Sequence, residues 1–291
     1  MDPFRVTVRR GPAVESVHHV HAVAVQDGRI VESAGDPHLV TFYRSSAKPI
    51  QALPLARERP DVAGPELAIA CASHIATEEQ LAAAGNLLDS APASEDDLEC
   101  GPQEGRGPSR LAHNCSGKHA GFLCVCRANG WPAEGYRLAE HPMQQLLLDE
   151  VSAAAGVPRG EIPTAVDGCG VLTFALTLER MAHSFSRFAQ LDGADRVAAA
   201  MVAYPELVGH EYGAVDTDLM RARPGWIAKG GAEGVFCAAS PDGLGIALKV
   251  EDGAGRGRRP AVAKLLGLPD EWGRWPVKNS RGETVGGTSL G

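Results

Sequence analysis

The sequence predicts a mixed α/β (α+β) fold, in which strands from both ends of the chain form an antiparallel sheet packed against a helical region. Extended, valine-rich segments occupy the first 43 residues, and extended segments return between residues 226 and 250. The segments between them have helical caps and helix-forming composition. Strands at both ends with helices in the middle fit a sheet that is closed by N- and C-terminal strands.

The composition indicates a globular protein and argues against several classes of function. The chain has 291 residues, 44% of them hydrophobic and 22% charged, with a formal net charge of −8. This length can bury a large core, and we expect residues 1–291 to form a single domain. The acidic balance argues against nucleic acid or a membrane surface as partners. There is no membrane-length apolar run and no signal-peptide core, so the sequence predicts a cytoplasmic protein.

Cysteine usage agrees with this compartment. The seven cysteines are an odd number, and without a signal peptide they argue against a disulfide framework. We expect most of them to be reduced and buried as small hydrophobic side chains. Some of them can bind metal.

The N-terminal segment predicts strands. Val6 and Val8 alternate with charged residues, four further valines between residues 17 and 25 lead into the turn Gln26-Asp27-Gly28, and residues 30 and 31 carry the chain back. This arrangement is typical of a β-hairpin. A further extended stretch around Val40 leads into the segment Tyr43-Arg44-Ser45-Ser46-Ala47-Lys48-Pro49, from which a helix continues toward Pro60.

Helices dominate the middle of the chain. Residues 65–73 are small and apolar and suit either a strand or a buried helix. Thr77 to Gln80 form a capping box ahead of a helix that reaches about Leu88. Residues 91–110 predict a loop with a short helical turn after Ser94. Further helices are predicted over residues 115–129, 142–156, 173–184, 192–203 and 261–266, and strands over residues 226–238 and 244–250.

The first chemical motif is Ser45-x-x-Lys48. If Ser45 opens the helix, the two side chains lie on one face, because residues three apart are neighbours on a helix. A serine hydroxyl needs a base, and a lysine serves as one when burial beside another cation lowers its pKa. The pattern also occurs as the acylating motif of penicillin-recognising enzymes. The alternative is a helix-capping serine beside a solvated lysine.

Two further segments can complete such a centre. Lys229-Gly230-Gly231, entering a strand, resembles the Lys-Thr-Gly element of the same enzymes, and its glycines allow close approach of a ligand to the backbone. Cys71-Ala72-Ser73-His74 offers a second serine that can relay a proton. The alternatives are a glycine-rich turn with a surface lysine, and a loop serine beside a surface histidine.

The last motif pairs His113-Asn114-Cys115-Ser116-Gly117-Lys118-His119 with Asp167-Gly168-Cys169-Gly170. Cys115, Lys118 and His119 share one helical face. Two thiols with nitrogen or oxygen donors can form a tetrahedral zinc site. Lysine is a rare ligand because it must first lose a proton, and buried free thiols are the alternative.

Taken together and in this order, the segments resemble the Rhizobium-type L-asparaginases (the asparaginase II family), from about Val17 to Gly286. The resemblance implies a serine β-lactamase-like fold, hydrolysis of L-asparagine to L-aspartate and ammonia, and a homodimer. One departure is visible. Where the family has a small polar residue, Gly and Glu after Ser-His, this chain has Ile75-Ala76-Thr77.

The resemblance also implies roles for individual residues. It implies two Ser-Lys pairs, Ser45 with Lys48 and Ser73 with Lys229, and a zinc ion that orients the substrate. It places the catalytic group on Ser45, Lys48, Ser73 and Lys229, the substrate contacts on Arg44, His74, Asn114, His119, Gly230 and Gly231, and the zinc site on Cys115, Lys118 and Cys169 with Asp167 close by. Two alternatives stay open: a related amidohydrolase of the same fold, such as a β-lactamase or peptidase, and a non-catalytic zinc-binding protein.

Overall fold

The structure is a computed structural model that describes residues 1–209 and 214–291. Its strands begin with a long N-terminal hairpin and end with a C-terminal pair. They are β1 (Phe4–Arg10), β2 (Ala13–Gln26), β3 (Arg29–Ala34), β4 (Val40–Phe42), β5 (Thr164–Val166), β6 (Leu172–Thr177), β7 (Ile227–Gly230), β8 (Val235–Ala239), β9 (Gly245–Val250), β10 (Pro276–Lys278) and β11 (Thr284–Leu290).

Most of these strands form one antiparallel sheet that joins the two ends of the chain. Its order is β10-β11-β1-β2-β9-β8-β7, and β3 pairs with β2 beside this path. Strand β1 lies between β2 and β11, with Val6 opposite Leu290. The fold class predicted from the sequence is therefore confirmed. A second small sheet has the order β4-β6-β5. Its strand β4 ends just before residues 44–48, which carry the predicted nucleophile Ser45 and are called the nucleophile segment below.

The helices cover the region between the N- and C-terminal strands. They are α1 (Lys48–Gln51), α2 (Leu53–Glu58), α3 (Gly64–Ala70), α4 (Glu78–Ser90), α5 (Ser116–Ala128), α6 (Pro142–Ala155), α7 (Leu178–Ser186), α8 (Ala194–Ala203), α9 (Pro205–Val208), α10 (Val215–Ala222), α11 (Arg258–Leu265) and α12 (Asp270–Gly273). None of the helices in the described ranges is both long and apolar enough to span a membrane.

Several local predictions hold because their signals are short-range. Thr77 caps α4. Its side-chain oxygen accepts a hydrogen bond from the Gln80 N–H, and the side-chain oxygen of Gln80 accepts one from the Thr77 N–H. Residues 65–73 suit either a strand or a buried helix by composition, and the structure has the helix α3 there, beginning at Gly64. Helix α6 ends at Gly156, which has the left-handed φ of 62° that favours glycine.

Two predictions were wrong in detail. Residues 173–184 were predicted as one helix, but strand β6 occupies their first part and α7 begins at Leu178. The apolar run of β6 is buried, and such a run does not distinguish a strand from a buried helix. Residues 226–238 were predicted as one strand, but they form the hairpin β7–β8, which turns at Glu233 and Gly234 with positive φ.

The sheet and the helices meet where the chemical motifs lie. Helix α7 packs against β2 and β9 on one face of the large sheet, and α11 packs on β2 and β9 with α12 beside it. The nucleophile segment contacts β7 and β8 at the far edge of the sheet. The main sheet therefore presents the end strand β7 directly to residues 44–47.

Candidate active site

The nucleophile segment begins with a strained turn. Arg44 to Ala47 form a 3-10 turn, and helix α1 continues directly from it at Lys48. Arg44 has a φ of 50°, in the left-handed region that non-glycine residues rarely adopt. The conformation is held by hydrogen bonds from the Tyr43 N–H to Phe174 and from the Arg44 N–H to the Thr173 hydroxyl. Such strain persists only where the surroundings impose it, and it often marks a functional site.

Lys48 is fully buried, as the sequence predicted for a lysine that acts as a base. Its Nζ donates to the carbonyl oxygen of Ala72 and lies 3.1 Å from the Ser73 hydroxyl. Ser45 lies in the preceding turn, and its hydroxyl makes no hydrogen bond to any described residue. The amine therefore contacts the second serine directly, with the first serine one helical turn away.

Lys229 also lies inside the protein, at the centre of a small charged group. Its Nζ is 3.2 Å from a carboxylate oxygen of Asp216 and 2.8 Å from the carbonyl oxygen of Gly230. Burial lowers the pKa of Lys229, and the charge of Lys48 lowers it further, while Asp216 opposes both. The structure thus places a second cation near Lys48, as the sequence predicted, but pairs Lys229 with Asp216.

Asp216 lines the cavity and pairs with Lys229, and the motifs did not reveal it. Burial raises its pKa, but the charge of Lys229 and the hydrogen bond from the Gly230 N–H at 3.1 Å outweigh burial and keep the pKa low. Its sequence context, Val-Asp-Thr-Asp, is typical of acids in the first turn of an exposed helix. Only the packing of α10 against β7 shows that one of these acids points inward.

The two glycines after Lys229 permit a close approach between β7 and the nucleophile segment. A Cβ on Gly231 would lie 3.0 Å from the Ser46 hydroxyl and 3.1 Å from the Tyr43 carbonyl oxygen. Ser46 itself donates to the carbonyl oxygen of Lys229 over 2.9 Å. The Ser46 hydroxyl therefore joins the two motifs by a hydrogen bond. A glycine is needed at position 231 because a side chain there would crowd the nucleophile segment.

These elements surround one cavity of about 600 Å³. Its lining includes Ser45, Ser73 and Lys229, which belong to three different motifs. The size lies within the range of small-molecule sites in proteins. Four of the predicted substrate contacts also line it: His74, Asn114, Gly230 and Gly231.

The predicted metal ligands form a separate buried group. The Cys115 thiol donates a hydrogen bond to the Cys169 sulfur, and mainly for this reason the pKa of Cys169 falls to about 5. Lys118 Nζ is 3.1 Å from the same sulfur. Burial lowers the pKa of Lys118, but the nearby thiols and Asp167 raise it by more. The group therefore contains a thiolate–ammonium pair.

The donor set fits a zinc ion in part. Two sulfurs and one amine converge, which supplies three donors of the kinds that zinc accepts once Lys118 has lost its proton. Within residues 1–209 and 214–291, no three His, Cys, Asp or Glu side chains are arranged to hold a metal. Asp167 instead accepts a hydrogen bond from Arg44 at 2.7 Å. Lys118 is consequently indispensable to any metal site here.

The two predicted histidines are buried and neutral. Burial lowers the pKa of His74 to about 3, and its ring bridges the Ala76 N–H and the Ser116 hydroxyl. Burial likewise lowers the pKa of His119 to about 3. His119 Nδ1 is 2.7 Å from the Tyr136 hydroxyl, while its buried Nε2 has no hydrogen-bond partner among the described residues.

The structure therefore brings most of the predicted site together, with two exceptions. Arg44 is held by Asp167, and neither Arg44 nor His119 is among the described residues that line the cavity. Lys48 does not line the cavity either, but its amine reaches Ser73, which does. Besides Asp216, sequence reasoning missed three residues of the site. These are Tyr136, which supports His119, Ser116, which supports His74, and Arg258, which lines the cavity.

Comparison with solved structures gives distant similarities. The chain is similar to Mglu in its native form, with 16% identity over 86% of this chain and a TM-score of 0.50. It is equally similar to Mglu in its L-glutamate binding form, with 16% identity and a TM-score of 0.51. The match covers 65% and 61% of these two Mglu chains, so the present chain spans less than two thirds of their length.

A beta-lactamase (Mb2281c) from Mycobacterium bovis is also similar, with 15% identity over 81% of this chain and 88% of that chain and a TM-score of 0.44. No curated protein matches the sequence. The family comparison is much more extensive, because L-asparaginase II matches residues 6–289 and so includes every motif described above. The chain belongs to the L-asparaginase II family.

Proposed function

We propose that this chain is an amidohydrolase that converts L-asparagine to L-aspartate and ammonia through an acylated serine. The observation that carries the proposal is the contact between the buried Lys48 and Ser73, because Ser73 lines one cavity together with Ser45 and Lys229. A buried amine within hydrogen-bond distance of a hydroxyl can move a proton, as covalent amide cleavage requires. Membership of the L-asparaginase II family supports the amide as the substrate class.

In the first step, the Ser45 hydroxyl oxygen forms a bond to the side-chain amide carbon of L-asparagine. Its proton passes to the amine of Lys48, the proposed base, and the carbonyl electrons move onto the oxygen. The N–H groups of Ser45 and Ala232 are the proposed oxyanion donors, because both residues line the cavity and neither N–H donates a hydrogen bond in the described part of the chain. Two such donors can stabilise the oxyanion. Stabilisation of this kind is usually the largest single contribution to catalysis of acyl transfer.

In the second step, the carbon–nitrogen bond breaks and ammonia leaves with a proton supplied through Lys48 and Ser73. Water then attacks the ester of Ser45 and gives its proton to the same amine. The ester bond breaks, L-aspartate leaves, and the Ser45 hydroxyl is restored. Lys229 places a second cation near Lys48, and Asp216 holds Lys229 in place through their ion pair.

We also propose that Cys115, Lys118 and Cys169 hold a zinc ion, with Asp167 beside them. Bound there, zinc would supply a Lewis acid that orients the substrate, while Ser45 provides the nucleophile. Chelation should then raise KM with little change in kcat. Loss of all turnover would instead indicate a metal-activated water. Measuring the zinc content of Cys169→Ala and Cys126→Ala provides a readout that does not depend on activity. Only Cys169→Ala should lose zinc, because the buried Cys126 lies outside the proposed ligand group.

The remaining assignments concern binding and assembly. We propose that His74, Asn114, Gly230 and Gly231 contact the substrate, because all four line the cavity. Arg44 and His119 are proposed to support the site from behind, through Asp167 and Tyr136 respectively. The protein is proposed to act as a homodimer in the cytoplasm, which light scattering of the purified protein and cell fractionation can test.

The decisive experiment measures ammonia release from L-asparagine and L-glutamine by the wild-type protein, Ser45→Ala and Ser73→Ala. We expect release by the wild type and a loss of at least about 1,000-fold in Ser45→Ala, because nucleophile removal leaves only residual catalysis. Mass spectrometry of Ser73→Ala should show whether an acyl group accumulates on Ser45.

Three outcomes would contradict the proposal. Rapid covalent labelling by a penicillin, without release of ammonia from either amino acid, would favour a β-lactamase or peptidase of this fold. Stoichiometric zinc without turnover of any amide would favour a non-catalytic zinc-binding protein. Near-normal turnover by a folded Ser45→Ala variant would show that the nucleophile is another group.

A further inference from the structure

The cavity has a charge opposite to that of the whole protein. Among the described residues that line it, five are cationic and one, Asp216, is acidic. The protein as a whole carries a net charge of −8. A cationic cavity in an acidic protein attracts an anionic group of a ligand. The five cations are Arg106, Lys229, Arg256, Arg258 and Arg259.

Three of these cations are engaged by other parts of the protein. Lys229 pairs with Asp216. Arg259 pairs with Asp218 and lies over the ring of Trp272. The third, Arg106, donates to the carbonyl oxygens of His74 and Ala112 and so fixes the loop at the cavity mouth. None of the three has its charge directed freely into the cavity.

Arg258 differs from them in its surroundings. It is half-buried at the start of α11, and within the described ranges no carboxylate lies within ion-pair distance of its guanidinium. The charge of Asp216 acts on Arg258, but the ion pair of Asp216 is with Lys229. Its hydrogen bonds go to backbone carbonyls only, from Nη1 to Gly231 at 3.4 Å and from Nε to Gly255 at 3.3 Å. Both contacts are long, so most of the donors of the planar guanidinium are available to a ligand.

The position of Arg258 relates it to the reaction centre. A Cβ on Gly230 would lie 2.7 Å from Arg258 Nη1, so the guanidinium rests against the residue that directly follows Lys229. Arg256, the remaining cation, is exposed, and its side chain has no hydrogen bond to a described residue. Arg258 is therefore the cation that lies against the edge of β7.

We propose that Arg258 binds the carboxylate at the end of the substrate that is not hydrolysed, which is the α-carboxylate of an amino acid amide. The two-pronged guanidinium matches a carboxylate with two parallel hydrogen bonds. Anchoring that end directs the side-chain amide toward Ser45. The inference rests on the proposed function and adds a selection rule, since amides that lack this carboxylate become poor substrates.

The test compares L-asparagine with its α-methyl ester, in which the carboxylate is neutral. The wild type should prefer L-asparagine by about 10- to 100-fold in kcat/KM, the range expected for a charge-assisted hydrogen-bonded pair. Arg258→Gln should lose that preference mainly through KM, and Arg258→Lys should retain part of it. Arg29→Gln, an exposed arginine on the β3 turn, is the matched control for loss of charge and should behave as the wild type.

A binding experiment separates this proposal from the proposed reaction. Calorimetry with Ser45→Ala should show binding of L-asparagine that weakens by about 10- to 100-fold on adding Arg258→Gln, while binding of the ester stays unchanged. This result would support the assignment even if the wild type did not hydrolyse L-asparagine. The assignment is overturned if Arg258→Gln keeps the preference, if the loss follows Arg256→Gln instead, or if neither ligand binds.

Discussion

The amine of Lys48 lies 3.1 Å from the hydroxyl of Ser73, a residue 25 positions later in the chain. This contact connects the start of α1 with the end of α3, because Cys71 and Ala72 follow that helix directly. Ser73 is the serine that the amine contacts, while the proposed nucleophile Ser45 lies in the adjacent turn. In the proposed reaction the amine takes a proton from Ser45 and delivers it through Ser73.

Removing the charge of Asp216 should destabilise the protein strongly. Asp216→Asn leaves Lys229 buried without its counter-ion, and breaking one half of a buried pair costs about 3–5 kcal/mol. Urea denaturation measures the change. The double variant Asp216→Asn/Lys229→Met should recover much of the loss, whereas Asp270→Asn, an exposed acid, should cost almost nothing. Equal stability of Asp216→Asn and the wild type would contradict the proposed pairing.

A methyl group on Gly231 should impair turnover more than folding. In Gly231→Ala the new Cβ meets Ser46 at 3.0 Å, which forces β7 away from the nucleophile segment. Misplacement by about 1 Å can cost about 100-fold in rate, while overpacking costs about 1–3 kcal/mol. Steady-state kinetics and thermal unfolding measure both. Gly160→Ala, where an added Cβ meets nothing within 4 Å, is the control; similar kinetics for the two variants would refute the steric argument.

The neutral buried ring of His74 predicts a loss of stability in acid. Its pKa falls from 6.5 to about 3 on folding, chiefly through burial, so the unfolded chain binds the additional proton between these values. Stability is therefore fully present above pH 6.5 and declines as the pH falls. Between pH 7.5 and 5.5 this group should contribute about 1.4 kcal/mol to the decline. Denaturant titrations of the wild type and His74→Asn at both pH values measure it, and identical pH dependences would exclude His74 as a source.

The departure at Ala76 predicts a stabilising substitution. Ala76 has a φ of 64°, a conformation that is costly for residues with a Cβ and free for glycine. After allowance for the greater flexibility of unfolded glycine, Ala76→Gly should stabilise the protein by about 0.5–1 kcal/mol. Ala82→Gly, on the exposed side of α4, should do the opposite by about 1 kcal/mol. Thermal unfolding of the two variants should therefore shift in opposite directions.

Much of the fold and site was accessible from the sequence because the signals were local. The capping box of α4, the hairpin turn at Asp27-Gly28 and the glycine end of α6 each depend on a few neighbouring residues. The burial of Lys48 followed from its proposed chemistry, since an exposed lysine cannot act as a base at neutral pH.

The missed features depend on long-range packing. Nothing near Asp216 in the sequence distinguishes it from Asp218, and only contact with β7 does so. Arg258 is similarly one of several arginines in a polar stretch, and its role follows from the fold of β7 against α11. Strand β6 was predicted as helix because its apolar residues are buried nearly throughout, which removes the alternation that identifies a half-buried strand.

The pairing of β1 with β11 has a consequence for biosynthesis. The hydroxyls of Thr7 and Ser289 lie 3.0 Å apart, although the two residues are 282 positions apart in the chain. Strand β1 therefore cannot pair with β11 until the residues between them have been synthesised. Until then one edge of the hairpin β1–β2 offers unpaired backbone groups to any neighbouring chain. Slow closure of such distant contacts favours aggregation of nascent chains. The yield of folded protein on expression should therefore depend strongly on temperature, on chaperone supply and on groups fused near β11. This dependence should exceed what the stability of the folded protein alone would predict.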